Sequence, residues 1–206
     1  MGIGRKSTAL VVTVLMCGSA GLARAQSLPP KGAAKPLAAK PVVAKPETRP
    51  AVAVTGGAEP TLIGQFGTWG AYMATPNGKK VCFALAKPSS SKTNPPNRPR
   101  DPAYAFVSTR PAEKVTNEVS IAIGYALKPG SESTLEVGGA SYAMYTQGDG
   151  LWIKNAAEEE RMVDAMRKAP DVVVKGVSAK GTETTDTFSL KGLAQALDRV
   201  AQDCRR

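Results

Sequence analysis

The chain has 206 residues, 27 Lys and Arg against 17 Asp and Glu, a formal net charge of +10, and no histidine. The missing histidine excludes Ser-His-Asp, Cys-His and other His-based acid–base chemistry. Three cysteines without histidine fall short of the usual zinc ligand set, so neither a metal nor another cofactor is expected.

Taken in chain order, residues 1–25 read as an export signal. Arg5 and Lys6 form the charged start, residues 8–16 an apolar stretch too short to span a bilayer, and Ala23-Arg24-Ala25 a small-x-small cleavage site before Gln26. Cys17 follows Leu15-Met16, a poor lipobox, and leaves with the signal. Arg5, Lys6 and Arg24 carry three of the ten net charges, so the mature chain is +7 with no transmembrane span. It keeps two cysteines, Cys82 and Cys204. In an oxidising compartment an even count favours one disulfide. The loop it closes is long, and the chain-entropy argument then gives about 4–5 kcal/mol of stabilisation.

Residues 26–60 read as a tether of Ala, Pro, Lys and Val. Lys35-Pro36, Lys40-Pro41, Lys45-Pro46 and Arg49-Pro50 recur at near-regular spacing. Prolines at this density favour extended polyproline II, and thirty such residues reach on the order of 90 Å. Five cations against Glu47 and Glu59 give the tether +3, which suits weak contact with anionic envelope polymers or lipid headgroups, or simple spacing.

Residues 61–206 read as one domain. Strands are expected at 61–66, 69–73, 80–86, 104–108, 118–127, 134–137, 141–146, 151–153, 171–177 and 184–188, with a polar loop over 87–102. Pro76-Asn77-Gly78, Gly138-Gly139 and Gly148-Asp149-Gly150 mark turns. Beside Val119, Ile121, Ile123 and Tyr125, the opposite face carries Ser120, Ala122 and Gly124, small enough for close packing. A helix over 155–169 is capped by Asn155, has Glu158, Glu159 and Glu160 in its first turns and Arg167 and Lys168 in its last, and stops at Pro170. A second helix is expected after Ser189 as N-cap, with Leu190, Leu193, Ala194, Leu197, Ala201 and Cys204 on one face. The expected fold is mainly β: a β-sandwich-like domain of about nine short strands with two helices packed at its edge.

Candidate chemistry is thin. Asp149 with Glu136 or Glu132 would form the carboxylate pair of a cell-wall glycan hydrolase, although an Asp between two glycines is first a turn residue. Trp69, Tyr72, Tyr142, Tyr145 and Trp152 would line a sugar or peptide platform, with core duty favoured for both tryptophans. Lys79-Lys80 and residues 87–100 form a basic rim in which Arg98 and Arg100 would meet phosphates. No nucleic-acid motif is present, and no nucleic-acid partner is expected.

Several segments resemble the invasion-associated locus B (IalB) family of exported proteins of Gram-negative bacteria. They are the Trp69 strand, Lys80-Val81-Cys82-Phe83, Arg110-Pro111, Asn117-Glu118-Val119-Ser120 and, most specifically, the close from Thr187 through Gly192 to Leu197. The likeness covers roughly residues 62–204. Family members often carry a cysteine soon after the opening tryptophan and a further pair later. Gly70-Ala71-Tyr72-Met73 stands there instead, so this chain resembles a cysteine-poor branch with a single bridge. The resemblance implies a periplasmic or outer-envelope protein that is not an enzyme and has no catalytic residues to carry over. Its expected partners are an envelope or host-surface protein or an anionic envelope polymer.

Overall fold

In a computed structural model of the chain, residues 59–205 are described. The export signal and nearly all of the tether fall outside them. Eleven strands form one antiparallel sheet, and two α-helices pack against it. In chain order the strands are β1 Thr61–Phe66, β2 Trp69–Ala74, β3 Val81–Ala86, β4 Ser90–Asn94, β5 Tyr104–Arg110, β6 Val115–Ala122, β7 Ser133–Val137, β8 Ala140–Gln147, β9 Gly150–Ile153, β10 Asp171–Val177 and β11 Glu183–Ser189. The helices are α1 Glu159–Lys168 and α2 Leu193–Cys204. The mainly β class with two helices is as expected. No helix among the described residues is long and apolar enough to cross a membrane.

Strand order across the sheet is β1-β2-β3-β5-β6-β9-β8-β7-β10-β11-β4. β3 and β4 therefore lie eight positions apart, about 38 Å in a flat sheet at the usual spacing. Only three residues, Lys87, Pro88 and Ser89, join them, a reach of at most about 14 Å. The sheet must roll until its β11–β4 edge stands beside β3. Its two halves then face each other across a single core, the sandwich-like arrangement. Trp69 and Val107 from one half share that core with Leu135 and Phe188 from the other, and Leu193 and Leu197 of α2 cap it. Period-two burial writes the pattern: β5, β10 and β11 each alternate buried and half-buried or exposed positions.

Two contacts hold the roll closed. The turn after β1 rests on the chain after β11: Thr68 N donates to the Lys191 carbonyl at 3.3 Å, and the Trp69 indole N–H donates to the Ser189 carbonyl at 2.9 Å. Gly192 lies at φ 95°, and a Cβ on it would coincide with the Phe66 carbonyl. The second contact is covalent. Cys82 in β3 is bonded to Cys204, the last residue of α2, with Cα atoms 5.9 Å apart and a sequence separation of 122. α2 thereby spans β1, β2, β3 and β5.

The structure corrects three expectations. The polar stretch 87–102 contains β4, which joins the ten ranges expected as strands to make eleven, more than the nine or so of the expected fold. β4 exposes nearly all its side chains and exists by backbone pairing with β11, which leaves no mark in the apolar pattern. β6 runs earlier than 118–127, because the chain leaves the sheet at Ile123 and turns at Gly124. There φ is 79°, and the Asp101 carbonyl occupies the place of a Cβ, the close packing that the small-residue face allowed. Ser189 does not cap α2. It ends β11 opposite Asp171, and Gly192 stands at the N-cap instead. Asn155 does cap its helix, through a short 3₁₀ turn: its side chain accepts the Ala157 N–H at 3.2 Å.

Gly192→Ala should cost at least about 2 kcal/mol, since left-handed strain and a backbone clash add. Gly181→Ala, at φ 80° with open space around it, isolates the conformational part and should cost distinctly less. Urea unfolding of both variants checks this, and equal losses would refute the docking role of Gly192.

Candidate functional site

On β11 the core-facing positions are Phe188, Asp186 and Thr184. The first is apolar and the other two are not, so the core turns polar toward one end of the strand. Register sets Ser91 of β4 opposite Asp186 and Thr93 opposite Thr184. A wholly buried carboxylate needs a partner. Asp186 has one in Arg100, whose guanidinium grips both carboxylate oxygens. The same guanidinium donates to the Ile123 carbonyl at 2.9 Å and to the Ser91 hydroxyl at 3.0 Å. It also stands 5.9 Å from the centre of the Tyr125 ring. All four terminal N–H donors of Arg100 are thus used, and it serves as a strut between the β4–β5 loop and β11.

Above this strut opens a cavity of about 450 Å³. It is lined by Thr93, Ser178, Thr182 and Thr184, by Tyr125, by the cations Arg98, Arg100 and Lys180, and by the apolar Pro99, Ala126 and Ala179. Three of the hydroxyls are already oriented. Thr93 accepts the Arg98 N–H at 3.1 Å, and Ser178 accepts the Thr182 N–H at 3.0 Å, which leaves each O–H to donate elsewhere. Thr184 shares a 2.6 Å bond with the Tyr125 phenol. Burial pushes that phenol's pKa up, opposed by the Thr184 bond, so it stays neutral. Strand alternation turns Lys92 and Glu183 to the opposite face, where Glu183 accepts from the Asn94 amide at 3.0 Å. Arg98 and Lys180 are both exposed and have no carboxylate partner among the described ion pairs. The cavity therefore presents positive charge and hydroxyl donors, an arrangement that can hold an oxygen-rich anion.

The other sequence candidates lie elsewhere. Glu136 is opposite Ser141 and bonded to Lys175 at 2.8 Å, while Asp149 lies beyond Gln147 at the far end of β8. Six residues of strand put these two carboxylates about 20 Å apart, well past the roughly 5–9.5 Å that glycoside hydrolysis uses. Glu132 lies at the Asp149 end, but both are exposed and neither lines the cavity. Trp69 and Tyr142 are core residues. Tyr72 stacks on Phe83 at 5.4 Å, and Trp152 on the exposed Tyr145 at 5.7 Å, both on the sheet face turned away from the core. Lys80 donates to the Asp203 carbonyl at 3.4 Å beside the disulfide, so it braces α2 rather than extending a rim. Of the two rim arginines, Arg100 spends its four terminal donors on the strut, whereas Arg98 keeps its own for a guest. Sequence reading missed Thr93, Tyr125, Ser178, Lys180 and Thr182. They come from three separated stretches, and only the polar break in β11 at Asp186 hinted at them.

A second cavity, about 400 Å³, lies between β6 and the start of α1 and is lined by Asn117, Glu159, Glu160, Asp164 and Arg167. The Glu159 carboxylate accepts the Val119 N–H at 2.8 Å. Burial nevertheless lifts its pKa above the ordinary 4.5, with that N–H pulling the other way.

Asp186→Ala should cost about 3–5 kcal/mol, because it strands the Arg100 guanidinium in a largely buried place. A urea midpoint matching the parent would refute the strut. For Glu159, the folded state holds its proton to higher pH than the unfolded chain does. Stability therefore falls as pH rises from 4.5 through the folded pKa. Glu159→Gln should be the more stable protein above that window and equal to the parent below it, as thermal melts across pH would read.

The residues that carried the family resemblance now have structural reasons. Arg110 ends β5 and clasps Glu118 of β6 with two bonds of 2.9 Å, which holds its pKa high. Pro111 opens the 3₁₀ turn between the two strands, and Asn117 takes a left-handed conformation at φ 56°. Cys82 supplies the bridge, and the close ending at Gly192 seats the β1–β2 turn. Compared with known families, residues 69–201 match the one described as "Invasion associated locus B (IalB) protein". No curated protein and no solved structure matches the chain. With the match running from the Trp69 strand into α2, the chain belongs to the invasion associated locus B (IalB) family.

Proposed function

We propose that this is an exported, non-enzymatic binding protein of the bacterial envelope, held in the periplasm or at the outer membrane and contributing to host-cell contact. The observation that carries the reading is the disulfide. The two cysteines that remain after residue 25 are paired, and disulfides persist in oxidising compartments. The export signal at residues 1–25 and the positively charged tether at 26–60 point to the same place. Binding is favoured over catalysis because the cavity offers cations and hydroxyls but no histidine and no paired carboxylates. The contribution to host contact rests on the family's name alone.

Expression of the full chain in a Gram-negative host tests this. The expected result is release by osmotic shock or recovery with outer membranes, an N-terminus at Gln26, and a mobility that shifts on reduction. Retention in the cytoplasm with both thiols open to alkylation would overturn it.

A further inference from the structure

We propose that the cavity over the Arg100–Asp186 strut binds an acid-bearing sugar, that is, a carbohydrate unit carrying a phosphate or a carboxylate. This deepens the binding reading above and rests on it.

The strut makes the site anionophilic by subtraction. Asp186 is the one acid on the inner faces of β4 and β11 at this place, and Arg100 neutralises it with both ends of its guanidinium. Glu183 belongs to the outer face, and Asp101 is exposed and does not line the cavity. Arg98 and Lys180 therefore act on the interior unopposed. Arg98 supplies planar paired donors and Lys180 a mobile point charge, together a suitable clamp for phosphate or carboxylate.

The rest of the lining selects what carries the acid. The Thr93 and Ser178 hydroxyls accept main-chain N–H groups, which leaves their own O–H donors available to a guest. Tyr125 is the one aromatic ring in the lining, and Arg100 already stands against it. A flat heteroaromatic base would find no slot to stack in, whereas a hydroxyl-covered ring would find donors and acceptors. The volume of about 450 Å³ lies within the range of small-ligand sites.

Titration calorimetry on the full chain tests this with four probes: glucose 6-phosphate, glucuronic acid, glucose and inorganic phosphate. The expected result is binding of at least one acidic sugar about tenfold or more tighter than glucose and than phosphate alone. Binding of only glucose 6-phosphate, or of only glucuronic acid, names the acid and supports the proposal. The Arg98→Ala/Lys180→Ala variant alters two exposed side chains and should lose about tenfold or more in affinity at an unchanged melting temperature. Should that variant melt early, Lys180→Ala alone, in an exposed turn, carries the comparison. Equal binding of glucose, equal binding of bare phosphate, no binding of any probe, or undiminished affinity in the variants would each overturn the proposal. Capture of an envelope partner equally by parent and double variant would refute this cavity while leaving the binding-protein reading intact.

Discussion

Backbone meets backbone where the β1–β2 turn settles on residues 189–192, and the rolled sheet depends on that seat. There the chain has room for hydrogen and nothing larger: the Phe66 carbonyl occupies the place of a Gly192 side chain. The Trp69 indole reaches across to the Ser189 carbonyl, so the largest side chain of the core is also anchored in the closure. Without this seat the three-residue link from β3 to β4 could not be satisfied, because the two strands would lie at distant places in an open sheet. The disulfide then locks the same neighbourhood from the other side, through α2. Closure also deals with unpaired strand edges. β1 and β4 are the free edges, and β4 carries Ser, Lys, Thr and Asn, a poor template for further pairing.

Much of this was legible in the residues. The β10 bounds follow from its β-branched, alternating pattern, and Asn155, the three glutamates and Pro170 bracket α1 correctly. The cysteine pairing follows from parity and compartment. What escaped was structure made by the main chain rather than by side-chain burial. β4 is a strand because β11 offers it partners, and no apolar periodicity announces that. The start of α2 escaped for a related reason. Ser189 looks like a cap in isolation, but β10 claims its backbone, and helix geometry waits until Gly192.

The candidate site was less legible than the fold. Its parts lie on β4, the loop before β5, the segment after β6 and the β10–β11 turn, and nothing local ties these together. Asp186 reads from sequence as one more polar strand residue. Only the fold shows that it faces inward, and only its burial explains why Arg100 must be consumed by it. The basic loop thus divides its labour: one arginine stabilises an acid, and its neighbour two residues earlier stays available to a ligand. The pairing of Glu136 with Asp149 considered for hydrolysis fails on a distance that the β7–β8 register decides, a quantity that spacing in sequence cannot reveal.

The order of strands imposes an order of events. Synthesis delivers β3 and then β4 at once, yet β4 has no partner until β11 exists, some ninety residues later in the chain. Cys82 likewise waits for Cys204, at the very end. The first half can form its local meander early, but its polar edge strand and its reactive thiol stay unclaimed until the final two dozen residues arrive. Long-range pairings of this kind slow folding. The amino-terminal half therefore stays open at its polar edge and its thiol until β11 and α2 have been made.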